Sequence, residues 1–315
     1  IKFIKELSGN SLIVNYNHLN RYLVNGHKSL HKTSDTFYNG IKEVEFATNL
    51  SISNNKINQY KYWKPYFSAT NITENDAVEG INHYLKKSLK LRLRSDVPLA
   101  FCLSGGVDSA SLVSLAAKEF NYNVSTFSII DSDPRYNELD NIESTVNDIG
   151  CKSFKVKLDT NNDNITRLEN LVKYHDEPVA TISYFIHSIL SEAIASKGFK
   201  ISVSGTGADE IFTGYYDHFN LHLNEIKHDK DFNKYLKDWK NHTYKYVRHP
   251  DLRKYDLYFN NPNLRSHIYL NNHYFSNFLK TPFKEEFKEF KYTPSLLRNR
   301  MMNELFHEVV RVILH

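Results

Sequence analysis

The strongest constraint on the fold is an alternation running through the middle of the chain. Short apolar and β-branched runs at 97–103 (VPLAFCL), 124–130 (VSTFSII), 153–158 (SFKVKL) and 199–203 (FKISV) are separated from one another by helical patterns. These patterns cover 109–120, 138–149, 165–174 and 183–197, with Gly150 and Gly198 placed to end two of them. Strands that alternate with helices pair in parallel through right-handed crossovers, because a parallel connection needs a dozen or more residues to return to the same end of the sheet. The spacing predicts an α/β domain with a doubly wound parallel sheet. A preceding helix is predicted from Thr73 to about Leu93: Thr73 stands before Glu74 and Asp76, and Ala77, Val78, Ile81, Leu85 and Leu89 follow at helical intervals.

The flanks read differently. The first sixty-odd residues are polar and weakly periodic and do not make a complete domain. From Phe219 onward, long polar stretches carry Tyr, Phe and Leu and are broken before Pro250, Pro262, Pro282 and Pro294, which predicts a helical C-terminal extension.

Composition removes several function classes. The chain is 41% hydrophobic and 24% charged, enough apolar surface to offset chain entropy. Its 40 basic and 36 acidic residues leave a net +4, too small an excess to imply a nucleic-acid partner. No run of about eighteen apolar residues occurs, and the first residues lack the apolar core of a signal peptide, so a soluble cytoplasmic protein with no membrane partner is expected. The two cysteines, Cys102 and Cys151, make neither a disulfide framework nor a metal cluster, and no His, Cys or Asp spacing suits zinc.

The sequence SGGVDS at 104–109 sits between the apolar run 97–103 and a predicted helix. Ligands of open parallel sheets bind at the carboxyl ends of strands, where a glycine turn lets backbone amides approach phosphate oxygens. Gly105 and Gly106 permit that approach, and Ser104 and Ser109 add hydroxyl donors. Asp108 would repel a phosphate unless a divalent cation bridged the two, so its presence implies Mg²⁺. The GxxxxGK[ST] loop that serves γ-phosphate transfer is absent. So is GxGxxG, since Gly205 and Gly207 are followed by Glu210 at the third place. A pyrophosphate-gripping loop without the γ-phosphate lysine suits cleavage of ATP between its α and β phosphates.

A second motif, SGTGADEIFTGYYDH at 204–218, follows the last apolar run and is predicted to project from the same edge of the sheet. Ser204 and Gly205 are candidates to approach the nucleotide, and Asp209 is a candidate second carboxylate for the metal.

The first motif resembles the pyrophosphate loop of N-type ATP pyrophosphatases. The pair, SGGxDS followed about a hundred residues later by SGxGxDExFxGY, resembles the synthetase domain of glutamine-hydrolysing asparagine synthetases and their β-lactam synthetase relatives, over roughly residues 63–216. TFSI at 126–129, Asn137-Glu138 and HDEP at 175–178 are similar to family landmarks in the same order. The resemblance implies ATP as nucleotide, with Cys102 and Ile129 lining the adenine pocket, Leu103 also contacting ATP, and Asp108 and Asp209 holding magnesium. It implies a reaction in which a small-molecule carboxylate is activated as an acyl-adenylate and captured by ammonia from glutamine. Residues 1–65 look like the end of a glutaminase region plus linker, and 66–315 like the ATP pyrophosphatase domain, truncated at its C-terminal end. The nucleophilic N-terminal cysteine of a glutaminase is not present, so the chain is expected to be part of a longer protein. The family also allows a homodimer.

One position departs from the family. The residue after SG is acidic in many asparagine synthetases and is taken as the general base toward ammonia; here it is Thr206, whose hydroxyl is far too weak a base. Either Glu177, Glu210 or another acid takes that role, or the acceptor is not aspartate but, for example, a sugar acid of surface polysaccharide synthesis. A tRNA-modifying pyrophosphatase of the same superfamily is a further alternative.

Overall fold

The structure is a computed structural model that describes residues 1–314 except 10, 69, 70, 132, 135, 159–162, 287 and 288; His315, the end of the predicted C-terminal helix, lies outside the described residues. The chain divides into two units, one formed by Ala69–Thr206 and one by Ile1–Ser68 together with Gly207–His315.

The unit Ala69–Thr206 is the predicted parallel sheet. Numbering the strands along the chain, β1 (Thr48–Ser53) and β2 (Lys56–Lys61) form a hairpin in the other unit, while β3 (Leu99–Cys102), β4 (Ser125–Ile130), β5 (Lys152–Lys157) and β6 (Ile201–Val203) form a four-stranded sheet in the order β5-β4-β3-β6. All three pairings are parallel. The chain starts at β3, steps outward to β4 and β5, and then returns to the far side of β3 to lay down β6. The reversal therefore falls between β3 and β6.

The period of two along β3 explains how the sheet is covered. Leu99, Phe101 and Leu103 point to one face, where they pack with Leu89, Val113 and Ile142 from the helices Glu74–Arg92, Val107–Ser114 and Leu139–Ile149. Ala100 and Cys102 point to the other, where Phe127, Leu190 and Ile194 bring in the helix Ile182–Ser196. Each fully buried side chain of this kind stabilises by roughly 1.5–3 kcal/mol. The helix ends are chemically specified. Thr73 accepts the Asp76 N–H at 3.1 Å, and Gly150 closes Leu139–Ile149 at φ 70°, a conformation that favours glycine.

In the unit formed by Ile1–Ser68 and Gly207–His315, the hairpin turn is made by Asn54 and Asn55, both at positive φ, as a two-residue turn between twisted strands requires. The predicted helical extension is present as short helices, of which Tyr216–Glu225 and Leu296–Asn303 bury several polar and charged side chains. Among the described residues no helix is long and apolar enough to cross a membrane.

Candidate functional site

The loops after β3 and β6 leave the carboxyl ends of the two strands flanking the reversal, the place where an open α/β sheet leaves a crevice. The first loop is braced by its own side chains. Ser104 N–H donates to Ser109 Oγ at 3.0 Å, Gly106 N–H donates to Ser104 Oγ at 3.2 Å, and the two hydroxyls are 2.9 Å apart. Ser109 is buried, with its hydroxyl 3.2 Å from both the Ser104 and Gly106 carbonyls. Gly105 N–H donates to Glu138 Oε2 at 2.8 Å.

Two glycines bring backbone together here. A Cβ at Gly205 would lie 3.0 Å from the Ser109 nitrogen and 3.1 Å from the Asp108 Cβ, so the loop after β6 rests on the first turn of the helix after β3. A Cβ at Gly105 would lie 2.6 Å from the Glu138 Cβ, which no ordinary contact allows.

The loops frame a cleft of about 430 Å³. Its apolar wall includes Cys102, Phe127 and Ile129 from the sheet and Leu190 from the helix Ile182–Ser196 that covers them. Leu103, Ser104, Asp108, Ser109, Ser204, Gly205 and Thr206 line the side made by the loops. Asp131 and Glu138 add two more carboxylates to that of Asp108, and no Lys or Arg is among the described residues lining the cleft. His187, which also lines the cleft, has its pKa lowered by burial. Burial likewise pushes the Cys102 thiol up, so that wall is uncharged.

Of the sequence-derived candidates, Cys102, Leu103, Ser104, Asp108, Ser109, Ile129, Ser204 and Gly205 all line this cleft, and Gly105 and Gly106 complete its loop. Glu177 is not among the described lining residues; it follows the helix Asn164–His175, whose end is turned by Asp176 at positive φ. Asp209 and Glu210 belong to the other unit, in the short helix Ala208–Phe212. A Cβ at Gly214 would overlap the Asp209 carboxylate in its present position, so a larger residue there would have to displace that side chain. Glu210 is 3% exposed and accepts the Tyr215 hydroxyl at 2.6 Å. Burial and that carboxylate push the Tyr215 phenol far above its ordinary pKa.

The asparagine synthase family model matches residues 80–268, more than half of the chain. This chain belongs to the asparagine synthase family. Within the family, a glutamine-hydrolysing asparagine synthetase of Bacillus subtilis is 30% identical over 177 residues, covering 56% of this chain and 27% of that protein. The amidase chyE of Penicillium rubens is also 30% identical, over 201 residues, covering 58% of this chain and 30% of that one. The chain thus spans under a third of the length of these two relatives. Among solved structures, an NH3-dependent NAD synthetase from Campylobacter jejuni is 16% identical, covers 58% of this chain and 90% of its own, and superposes with a TM-score of 0.30.

Two features of the chain were not legible as site chemistry. Glu138 stood out only as a landmark, yet its carboxylate holds the loop amide of Gly105. The second is a buried ionic network in the unit formed by Ile1–Ser68 and Gly207–His315. Arg300, fully buried, donates to Glu289 and Glu304 at 2.8 and 3.0 Å and also to Glu308, which Lys32 reaches as well. His218 Nε2 lies 2.7 Å from Glu304 Oε2. Asp217, His218 and Glu304 bring ligand-type atoms within 4.8 Å of one another, but the Arg300 guanidinium already supplies their cation, 3.5 Å from Asp217 and 3.0 Å from Glu304. Burial alone would raise the pKa of Glu308; Arg300 and Lys32 bring it down to about 2.

Proposed function

We propose that this chain carries the ATP-using part of an AMP-forming amide synthetase, most simply one of the glutamine-hydrolysing asparagine synthetase type. One observation carries the reading: backbone from residues 104–109 and 204–206 meets at the reversal of a parallel sheet, with Gly205 packed on the Ser109 nitrogen, and so frames a cleft edged by main-chain amides and serine hydroxyls. ATP lies across the strand ends, its base against Cys102, Leu103 and Ile129 and its pyrophosphate toward Ser104, Gly105, Gly106, Ser109, Ser204 and Gly205.

Asp108 and Asp209 are the proposed ligands of magnesium. Hard carboxylate oxygens suit that ion. A cleft with three carboxylates and no Lys or Arg among its described lining residues needs a divalent cation to accept a polyphosphate. When bound, the metal neutralises the charge that builds on the departing pyrophosphate. The chain supplies amide and hydroxyl donors fixed before the substrate arrives, which act without reorganising during the reaction. A substrate carboxylate attacks the α-phosphorus in line, expelling pyrophosphate and giving an acyl-adenylate. Ammonia then attacks the acyl carbon and AMP leaves with the electron pair of its oxygen.

The ammonia nitrogen has to lose a proton to a base. Glu177, Glu210 or another acid is the proposed base, and Glu210 already accepts the Tyr215 hydroxyl. Thr206 in the cleft also favours a second reading, an acceptor other than aspartate such as a sugar acid. The acidic lining argues against a polyanionic acceptor such as tRNA. Residues 1–65 are read as the end of a glutaminase region that delivers ammonia from glutamine, and the site of action as the cytoplasm.

The test supplies α-labelled ATP, magnesium, ammonium and a panel of carboxylic acids. AMP and pyrophosphate are the expected products, and the acid that elicits them decides between aspartate and a sugar acid. Formation of ADP and phosphate overturns the proposal.

A further inference from the structure

Three consecutive amides of the loop after β3 already have partners inside the protein, but the partners differ in kind. Ser104 and Gly106 are held by neutral serine hydroxyls within the loop, whereas Gly105 is held by a carboxylate from a segment 33 positions away. Local chemistry frees that carboxylate. Glu138 stands at the N-cap position of the helix Leu139–Ile149, where a short polar side chain would accept an N–H of the first turn. Here the Asn137 side chain accepts the Leu139 N–H at 3.0 Å instead, and Glu138 makes no capping bond. The closeness of Gly105 to the Glu138 backbone then sets Oε2 2.8 Å from the Gly105 nitrogen. Glu138 is exposed and lines the cleft, so water can take its place and release costs little.

We propose that Glu138 is a latch: its carboxylate occupies the Gly105 N–H as an internal anion, and a polyphosphate oxygen must displace it to bind. This rests on the reading of the cleft as an ATP site and adds to it a positioning residue that regulates entry. Polyphosphate binding is then an exchange of one anion for another at a single amide. It keeps the loop ordered when empty and selects ligands able to outcompete a carboxylate, which a polyphosphate does and a lone monophosphate does less well.

The test is calorimetric titration of the 315-residue chain with inorganic pyrophosphate, ATP and AMP, each with and without magnesium, for the parent, Glu138→Ala and Glu138→Gln. With the latch removed, the magnesium complexes of ATP and pyrophosphate bind about tenfold tighter to Glu138→Ala, as expected for loss of one charged competitor. Glu138→Gln, which keeps an acceptor but not the charge, shows a smaller gain, and AMP binding stays within about twofold of the parent. A residue that merely supports the loop would weaken all three ligands together, and a metal ligand would weaken only the magnesium complexes; either pattern overturns the latch. If the parent binds neither ATP nor pyrophosphate, the ATP-site reading fails and the latch with it, a result visible before any variant is compared.

Discussion

The two units handle charge in opposite ways. In Ala69–Thr206 the interior is apolar, and Asp108 and Glu138 lie exposed at the mouth of a cleft. In the unit formed by Ile1–Ser68 and Gly207–His315, Glu304, Glu308 and Asp217 are buried against Arg300, with Lys32 and His218 close at hand. Burying a charge is tolerable only with a partner, so the second arrangement is self-contained and has nothing left to offer a ligand. Exposed carboxylates around amide donors are inexpensive to keep hydrated and become useful only when a cation and a polyphosphate arrive. The contrast separates charge that holds structure from charge that waits for chemistry.

The largest expected effect breaks the cleft without touching stability. Asp108→Ala should lower ATP–pyrophosphate exchange on the order of a thousandfold, while the urea midpoint stays put because Asp108 is exposed. Equal loss of stability would move Asp108 to the structural class. Gly205→Ala should come next, since the added Cβ, 3.0 Å from the Ser109 nitrogen, forces the two loops apart; ATP affinity falls about tenfold or more, read by equilibrium titration.

The converse test is Arg300→Met. It leaves Glu304 buried without its guanidinium and Glu308 with Lys32 alone, and should cost about 3–5 kcal/mol in denaturant unfolding. An exposed control, Lys118→Ala, which breaks an ion pair with Asp148, should cost less than about 1 kcal/mol.

A milder perturbation is pH. Burial brings the pKa of His18, His27 and His307 down to about 4, so the folded state binds fewer protons than the unfolded one between that value and the ordinary 6.5. Stability from these three groups is complete above about pH 6.5 and is lost as pH falls toward 4. Glu308 extends the loss below pH 4.5 toward 2. Urea midpoints measured from pH 7 to 4 check the sign; a midpoint that rises on acidification contradicts it. The smallest expected effect is at Cys102, whose raised thiol pKa should make alkylation at neutral pH slower than that of a free cysteine, as timed by mass spectrometry.

The same contrast decides which parts of the molecule are legible in the sequence. The runs 97–103 and 124–130 declare themselves because a strand buried on both faces is continuously apolar, and Gly150 because a helix ending in the left-handed region favours that residue. The cleft followed from these elements, since a parallel sheet carries its crevice at strand ends. The hairpin of β1 and β2 stayed hidden because both of its faces are largely exposed, which erases the alternation that marks a half-buried strand; the Asn54-Asn55 pair was its remaining signal. The network around Arg300 was hidden for a related reason. A helical stretch of Arg, Asn and Glu reads as a solvated face, and only tertiary packing turns it inward. The bond from Gly105 to Glu138 joins residues whose separation in sequence obeys no periodic rule.

The seat of Gly205 on the Ser109 nitrogen has an evolutionary corollary. Peptides almost a hundred positions apart share one surface there, so neither can be transplanted from a cousin alone. A chimera that swaps 104–109 should recover function only when 204–206 is inherited from the same donor.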